Sequence, residues 1–262
     1  MNGGNNLKIK LFLLSVFMKR VYCTTILKQG STYELEKKYY IHLVRVMRLK
    51  VGDHVSLFNN NSGEWKSEIV DIKNNFLIAK TISLVSPPKA ETSIDLMFSP
   101  IKYQNSESII RQSTEMGIRS IFPTLFKRTI NTKINLSKFN TYAIGAAQQS
   151  ERLSIPNIHD LNNLKNQSKI ISSKTILMFD ENLKGIHLSQ AKIKSNSEIL
   201  VVIGPEGGFE DEERAFISKS SKNFLNVSLG SNILKADTAV IAALSLTSVS
   251  YTHLTLPTNT SV

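Results

Sequence analysis

The chain has 262 residues and 29.3 kDa, room for one large domain or two modest ones, and its 41% apolar residues exclude a wholly disordered chain. A net charge of +11 and a pI near 9.6 point to a polyanionic partner, nucleic acid before an anionic membrane surface. The single cysteine, Cys23, excludes an internal disulfide and a cysteine metal site. His42, His54, His159, His187 and His253 show no ligand spacing, so no metal and a reducing cytoplasm are expected.

At the N-terminus Lys8 and Lys10 precede an apolar run over residues 11–17 that is too short to span a bilayer and has no small-residue cleavage site after it. Residues 1–17 read as an extension, with Met18 as an alternative start before a strand-like stretch over 20–26. Residues 18–88 read as a small β domain: strands over 53–58, 68–72 and 76–82, with Asn59-Asn60-Asn61-Ser62-Gly63 as a turn. Pro87-Pro88 marks the boundary, and most of the net positive charge lies before it. From His42 to Lys50, basic side chains (Arg45, Arg48, Lys50) interleave with apolar ones, which fits a nucleic-acid face and equally the solvated face of a short helix or strand.

Residues 91–246 change character. Strands over 94–98, 118–126, 175–179, 198–203 and 226–229 alternate with helices over 106–116, 137–150, 211–220 and 236–246. That alternation predicts an α/β domain with a parallel sheet. The Thr- and Ser-rich stretch over 247–262 reads as a disordered or foreign tail.

Three motifs carry chemistry. Gly204-Pro205-Glu206-Gly207-Gly208-Phe209 follows a strand and precedes a helix, where open α/β sheets bind ligands. Its glycines permit positive φ and close backbone approach. It lacks the features of a P-loop and is not GxGxxG. Glu210, Asp211, Glu212 and Glu213 suit the next helix's dipole but repel phosphate, favouring an uncharged or cationic ligand over a phosphate; a plain tight turn is the other reading. The second motif, Leu229-Gly230-Ser231-Asn232-Ile233-Leu234-Lys235-Ala236-Asp237-Thr238-Ala239, leads from a strand into a helix capped by Asp237-Thr238, with Lys235 at the loop mouth. It offers a second wall for the same pocket, or an ordinary loop-to-helix junction. The third, Ala146-Ala147-Gln148-Gln149-Ser150-Glu151-Arg152, ends in an arginine suited to a phosphate or base edge, or to plain solvent.

Taken in order, and with HLVRVMRLKVGD before them, these motifs resemble the ribosomal RNA small-subunit methyltransferase E family of the SPOUT class, over about residues 18–246. The resemblance implies an RNA-holding PUA-like β-barrel over 18–88 and a SPOUT domain over 91–246. It also implies a deep trefoil knot, an exception to unknotted topology, with S-adenosylmethionine bound there. The family works as a cytoplasmic homodimer that methylates N3 of a uridine in 16S rRNA of the 30S subunit.

The cofactor-binding residues so implied are Phe179, Gly204, Pro205, Glu206, Gly207 and Gly208, with Leu229, Gly230, Ile233 and Leu234. Uridine N3 must lose a proton to react. Arg152 and Lys235 are the candidates for anion or phosphate contacts, and Glu206 for taking or orienting the proton. Arg20, Arg45, Arg48, Lys50 and Arg152 are the candidates for RNA contact. The family's usual ILRTETA reads Ile233-Leu234-Lys235-Ala236-Asp237-Thr238-Ala239 here, so the planar fork of arginine is lost at 235. A SPOUT enzyme with another RNA target (a ribose 2′-hydroxyl or another base) and a non-catalytic RNA-binding module are the alternatives.

Overall fold

The computed structural model describes residues 19–180, 185–191, 193 and 197–255; the extension at 1–17, the start at Met18 and the last seven residues of the tail lie outside them. The chain forms two units: residues up to Ala90 with Ile144–Ile155, and Glu91–Ala143 with Pro156 onward.

The first unit holds β1 (Arg20–Tyr22), β2 (Thr32–Leu35), β3 (His54–Asn59), β4 (Gly63–Lys73) and β5 (Phe76–Ser86) in the order β1-β3-β4-β5-β2. Only β1 and β3 run parallel. Alternating side chains bury Leu57, Ile69, Leu77 and Ala79 completely. The turn between β3 and β4 is built by Asn59, whose amide donates to the carbonyls of Cys23 (3.1 Å) and Thr25 (2.8 Å) and whose Oδ1 accepts from Ser62 N at 2.7 Å. Gly63 closes it at φ 77°, and a Cβ there would lie 2.2 Å from the Ser86 carbonyl oxygen.

The stretch over 42–50 is helical as far as Val46. Helix α1 (Lys37–Tyr40) runs into a π-helical turn, Ile41–Val46, which ends with Arg48 in the left-handed region at φ 59°. Leu43 and Leu49 turn inward, while Arg45, Arg48 and Lys50 are exposed.

The second unit is a parallel sheet of β6 (Ile94–Phe98), β7 (Ser120–Leu125), β8 (Asn157–Ile158), β10 (Thr175–Phe179), β11 (Ile199–Ile203) and β12 (Asn223–Val227), in the order β12-β10-β11-β6-β7-β8, with β9 (Asn162–Asn163) beside β7. Every residue of β6, β10 and β11 is buried, as strands covered on both faces require. The helices include α2 (Tyr103–Glu115), α3 (Leu136–Gln149), α4 (Ser168–Ser173), α5 (Asp211–Ser220) and α6 (Ala236–Thr255). Helix α6 continues past Leu246 to Thr255, so 247–255 is helical and not disordered. Thr247 is fully buried, and its hydroxyl is satisfied by donating to the Ala243 carbonyl (2.7 Å) within the helix.

One polar cluster fastens the N-terminal ends of these strands. Asp95, 1% exposed, accepts from Arg119 (2.8 Å) and Lys174 (2.8 Å), and Glu198 pairs with the same two cations at 3.1 and 2.6 Å. Hydrogen bonds from Arg119 and Lys174 hold the half-exposed Glu198 carboxyl down at about 2, from an ordinary 4.5. A depressed carboxylate stabilises the fold above its unfolded pKa and loses that contribution as pH falls through the folded one. Stability against urea is therefore expected to fall between pH 4.5 and 2. The slope should flatten in Glu198→Gln, measured by urea midpoints across that window.

Candidate active site

Four adjacent strands, β12, β10, β11 and β6, end beside one cavity of about 1010 Å³ in the second unit. Its floor comes from the strand ends Phe179, Ile203 and Val227. Gly204, Pro205, Glu206 and Gly208 follow β11, and Leu229, Gly230, Ile233, Leu234 and Lys235 follow β12. The two glycine turns thus share one hollow although β10 separates their parent strands. Gly204 packs against the Phe209 ring so closely that a Cβ would sit 2.8 Å from it, and Gly230 holds φ 110°. Both positions demand glycine.

Of the residues expected around a cofactor, Gly207 alone is not at the cavity wall. It lies against the Arg128 side chain, whose guanidinium donates to the Gly207 carbonyl at 2.6 Å and to Glu210 at 2.8 Å. Arg128 thereby clamps the glycine turn from behind.

The acidic run after the turn is largely occupied. Glu210 pairs with Arg128, Asp211 with Arg214 and Glu212 with Lys127, while buried Glu213 accepts from the amides of Lys127 (2.7 Å) and Glu210 (2.9 Å). These pairs answer part of the run's charge locally. Among the described residues the acids at the cavity are Asp180, Glu206 and Asp237, and Asp180 is itself gripped by Arg214 at 2.5 Å.

Sequence reasoning missed Lys102, Asn105 and Asp180 at this cavity. Asp180 directly follows a buried strand and Lys102 lies four residues past another, the positions at which open sheets carry ligand groups.

The remaining candidates lie in the first unit. Arg152 donates to Ser154 Oγ at 2.9 Å, just after Glu151 in the left-handed region at φ 59°. Arg45 is exposed on the π-helical turn, and Arg48 and Lys50 are exposed just after it. Arg20 does not face RNA, and that expectation is corrected. At 5% exposure it forms a two-pronged pair with Glu64 (3.0 and 2.9 Å) and lies 4.1 Å from the Phe58 ring centroid. It also donates to the carbonyls of Ala147 (2.8 Å), Gln148 (3.3 Å) and Arg152 (3.3 Å). A lone charge could not remain inside; Glu64 and the helix-end carbonyls of α3 hold it there.

Comparison with known proteins decides the family. Residues 88–248 match an RNA methyltransferase domain and residues 40–82 an RNA methyltransferase PUA domain. Ribosomal RNA small subunit methyltransferase E of Rickettsia conorii is 32% identical over 229 residues, covering 86% of this chain and 93% of that protein. The chain belongs to the ribosomal RNA small subunit methyltransferase E family. A second relative, ribosomal RNA small subunit methyltransferase E 2 of Borreliella burgdorferi, is 30% identical across 80% of this chain and 87% of its own.

Among solved structures, a putative methyltransferase of Legionella pneumophila with bound SAM superposes at TM-score 0.79 and 26% identity, covering 88% of this chain and 98% of its own. A ribosomal RNA small subunit methyltransferase E from Neisseria gonorrhoeae shares the fold at TM-score 0.79 and 22% identity, covering 89% and 98%. The fold is that of the SPOUT methyltransferases with a PUA-like N-terminal domain. Within this family member, no helix among the described residues is long and apolar enough to cross a membrane.

Proposed function

We propose that the chain transfers a methyl group from S-adenosylmethionine to N3 of a uridine in 16S rRNA of the small subunit. In this reading residues 18–88 hold RNA, residues 91–246 carry the chemistry in a knotted SPOUT domain, and the protein acts as a cytoplasmic homodimer. The observation that carries it is the convergence of two glycine turns on one cavity at adjoining strand ends. The cavity is large enough for a nucleoside with an amino-acid tail. Phe179, Ile203, Phe209 and Val227 give it apolar surface suited to adenine and ribose, and the glycines let backbone come within hydrogen-bonding reach. For the homodimer, the support is helix α6, which leaves Leu246 and Val249 exposed and carries one charged residue, Asp237.

S-adenosylmethionine supplies a methyl already activated on a sulfonium. The protein's work is to align the base, accept its N3 proton and offset its developing negative charge. Exposed Glu206 at the cavity is our candidate for accepting or orienting the proton, and Lys235 for an anion contact. Arg152, with Arg45, Arg48 and Lys50, is our candidate for gripping rRNA.

Primer extension on 16S rRNA from a strain lacking the gene tests the reading. A stop at one uridine should vanish in the deletion and return with the wild-type gene. A stop that persists would overturn it. Arg152→Ala is expected to raise KM for 30S subunits at least tenfold while leaving the affinity for S-adenosylmethionine within about twofold, since an arginine–phosphate contact contributes on the order of 1.5–3 kcal/mol. Methyl incorporation at several 30S concentrations measures the first, and calorimetry the second.

A further inference from the structure

We propose that Lys102 is a catalytic residue: its ammonium stabilises the negative charge that develops on the target uracil. The inference rests on the uridine-N3 reading above.

Lys102 follows β6 and is exposed at the cavity. Strand β6 pairs with β11 in a register that sets Phe98 beside Ile203, so the Lys102 loop and the Gly204 turn leave the sheet from one rung. The two are tied directly, since Ser99 N donates to the Ile203 carbonyl at 3.2 Å.

The loop that carries Lys102 is held at every step. Ser99 Oγ bonds Thr129 Oγ1 at 2.8 Å. The Ile101 carbonyl accepts from Ser106 Oγ (2.9 Å) and Asn131 Nδ2 (2.9 Å), and Ile101 N donates back to Ser106 Oγ at 3.2 Å. The Lys102 carbonyl accepts from Asn105 N and Ser106 N, at 2.9 and 3.1 Å. Ser99, Ile101 and Ser106 are buried, so these bonds are shielded from water. The result is a rigid loop presenting a lysine that makes no ion pair among the described residues. Lys235, the other lysine at the cavity among the described residues, sits on a largely exposed loop, where its carbonyl accepts from Ala239 N at 2.8 Å.

The chemistry asks for such a group. The N3 proton leaves to the acceptor, the freed pair forms the bond to the methyl carbon, and the carbon–sulfur pair returns to sulfur. Between the first and second events the base carries negative charge spread over O2 and O4. A preorganised cation lowers that state without reorganising at the moment of reaction.

The test compares wild type, Lys102→Met and Lys102→Arg on 30S subunits that lack the modification. Removing the ammonium should lower kcat near neutral pH by about 100-fold, the scale of losing one donor to a developing oxyanion. KM for S-adenosylmethionine should stay put. The deficit should narrow as pH rises toward the base's own ionisation, and Lys102→Arg should retain more activity than Lys102→Met. Binding of S-adenosylhomocysteine to each variant checks that the cavity is intact. A kcat equal to wild type, a raised cofactor KM with kcat preserved, or a deficit constant across pH would each overturn the assignment. Wild type failing to methylate N3 would instead overturn the proposed function itself.

Discussion

Replacing Gly204 with valine is expected to weaken S-adenosylmethionine binding by about 10- to 100-fold while the sheet beneath stays folded. A Cβ at this position would lie 2.8 Å from two carbons of the Phe209 ring and 3.1 Å from a third. The ring cannot retreat, because Phe209 is buried and meets Phe126 edge-on at 5.2 Å between centroids. The turn must move instead. Overpacking costs about 1–3 kcal/mol, and each 1.4 kcal/mol spent on the cavity is a tenfold loss of affinity. Calorimetry with the cofactor measures the loss. Adding Phe209→Leu should recover part of it, because the two side chains compete for one space. An unchanged affinity in Gly204→Val would mean that this turn does not shape the ligand site.

Arg20→Ala is expected to destabilise the first unit by about 3–5 kcal/mol, the usual cost of leaving a buried charge without its partner. Glu64, with only 13% of its side chain exposed, loses both prongs of its pair. The carbonyls of Ala147, Gln148 and Arg152 lose their donor at the same time. Against a total stability of about 5–15 kcal/mol, that is a large share. Arg20→Lys should fall between, since it keeps the charge but cannot serve the carboxylate and the carbonyls together. Urea denaturation of the three proteins gives the order, and equal midpoints would mean that this interior pair is dispensable.

The sheet was the most legible part of the chain. The runs Ile94–Phe98, Thr175–Phe179 and Ile199–Ile203 are apolar but for Asp95 and Thr175 near their starts, as doubly covered parallel strands require, and they lie where the apolar pattern puts them. Strand β4 was read too short. Its register slips at Glu64/Trp65, Lys66/Ser67 and Ile69/Asp71, and each slip breaks the two-residue alternation on which the reading depends.

The C-terminal end of α6 was hidden because Thr and Ser are weak helix formers whose hydroxyls also serve loops. Nothing in the local pattern reports that Thr247 bonds within its own helix.

At the site, both glycine turns could be found because glycines just past a buried strand mark a turn that needs positive φ or close backbone approach. Lys102 could not, because the bonds that fix its loop come from Thr129, Asn131 and Ile203, all distant in the chain. Arg20 was misread for the same reason, its helix-end partners lying 127 and 128 positions along the chain.

The interleaving of the two units has a consequence for anyone wishing to take the protein apart. Helix α3 starts among the residues of one unit and finishes among those of the other, and Ala147 in its last turn and Leu153 in the piece that follows pack against Phe58. No single scission therefore yields two whole halves. A fragment stopping at Pro88 would keep Arg20 and Glu64 but forfeit the borrowed stretch over 144–155 that completes their interior.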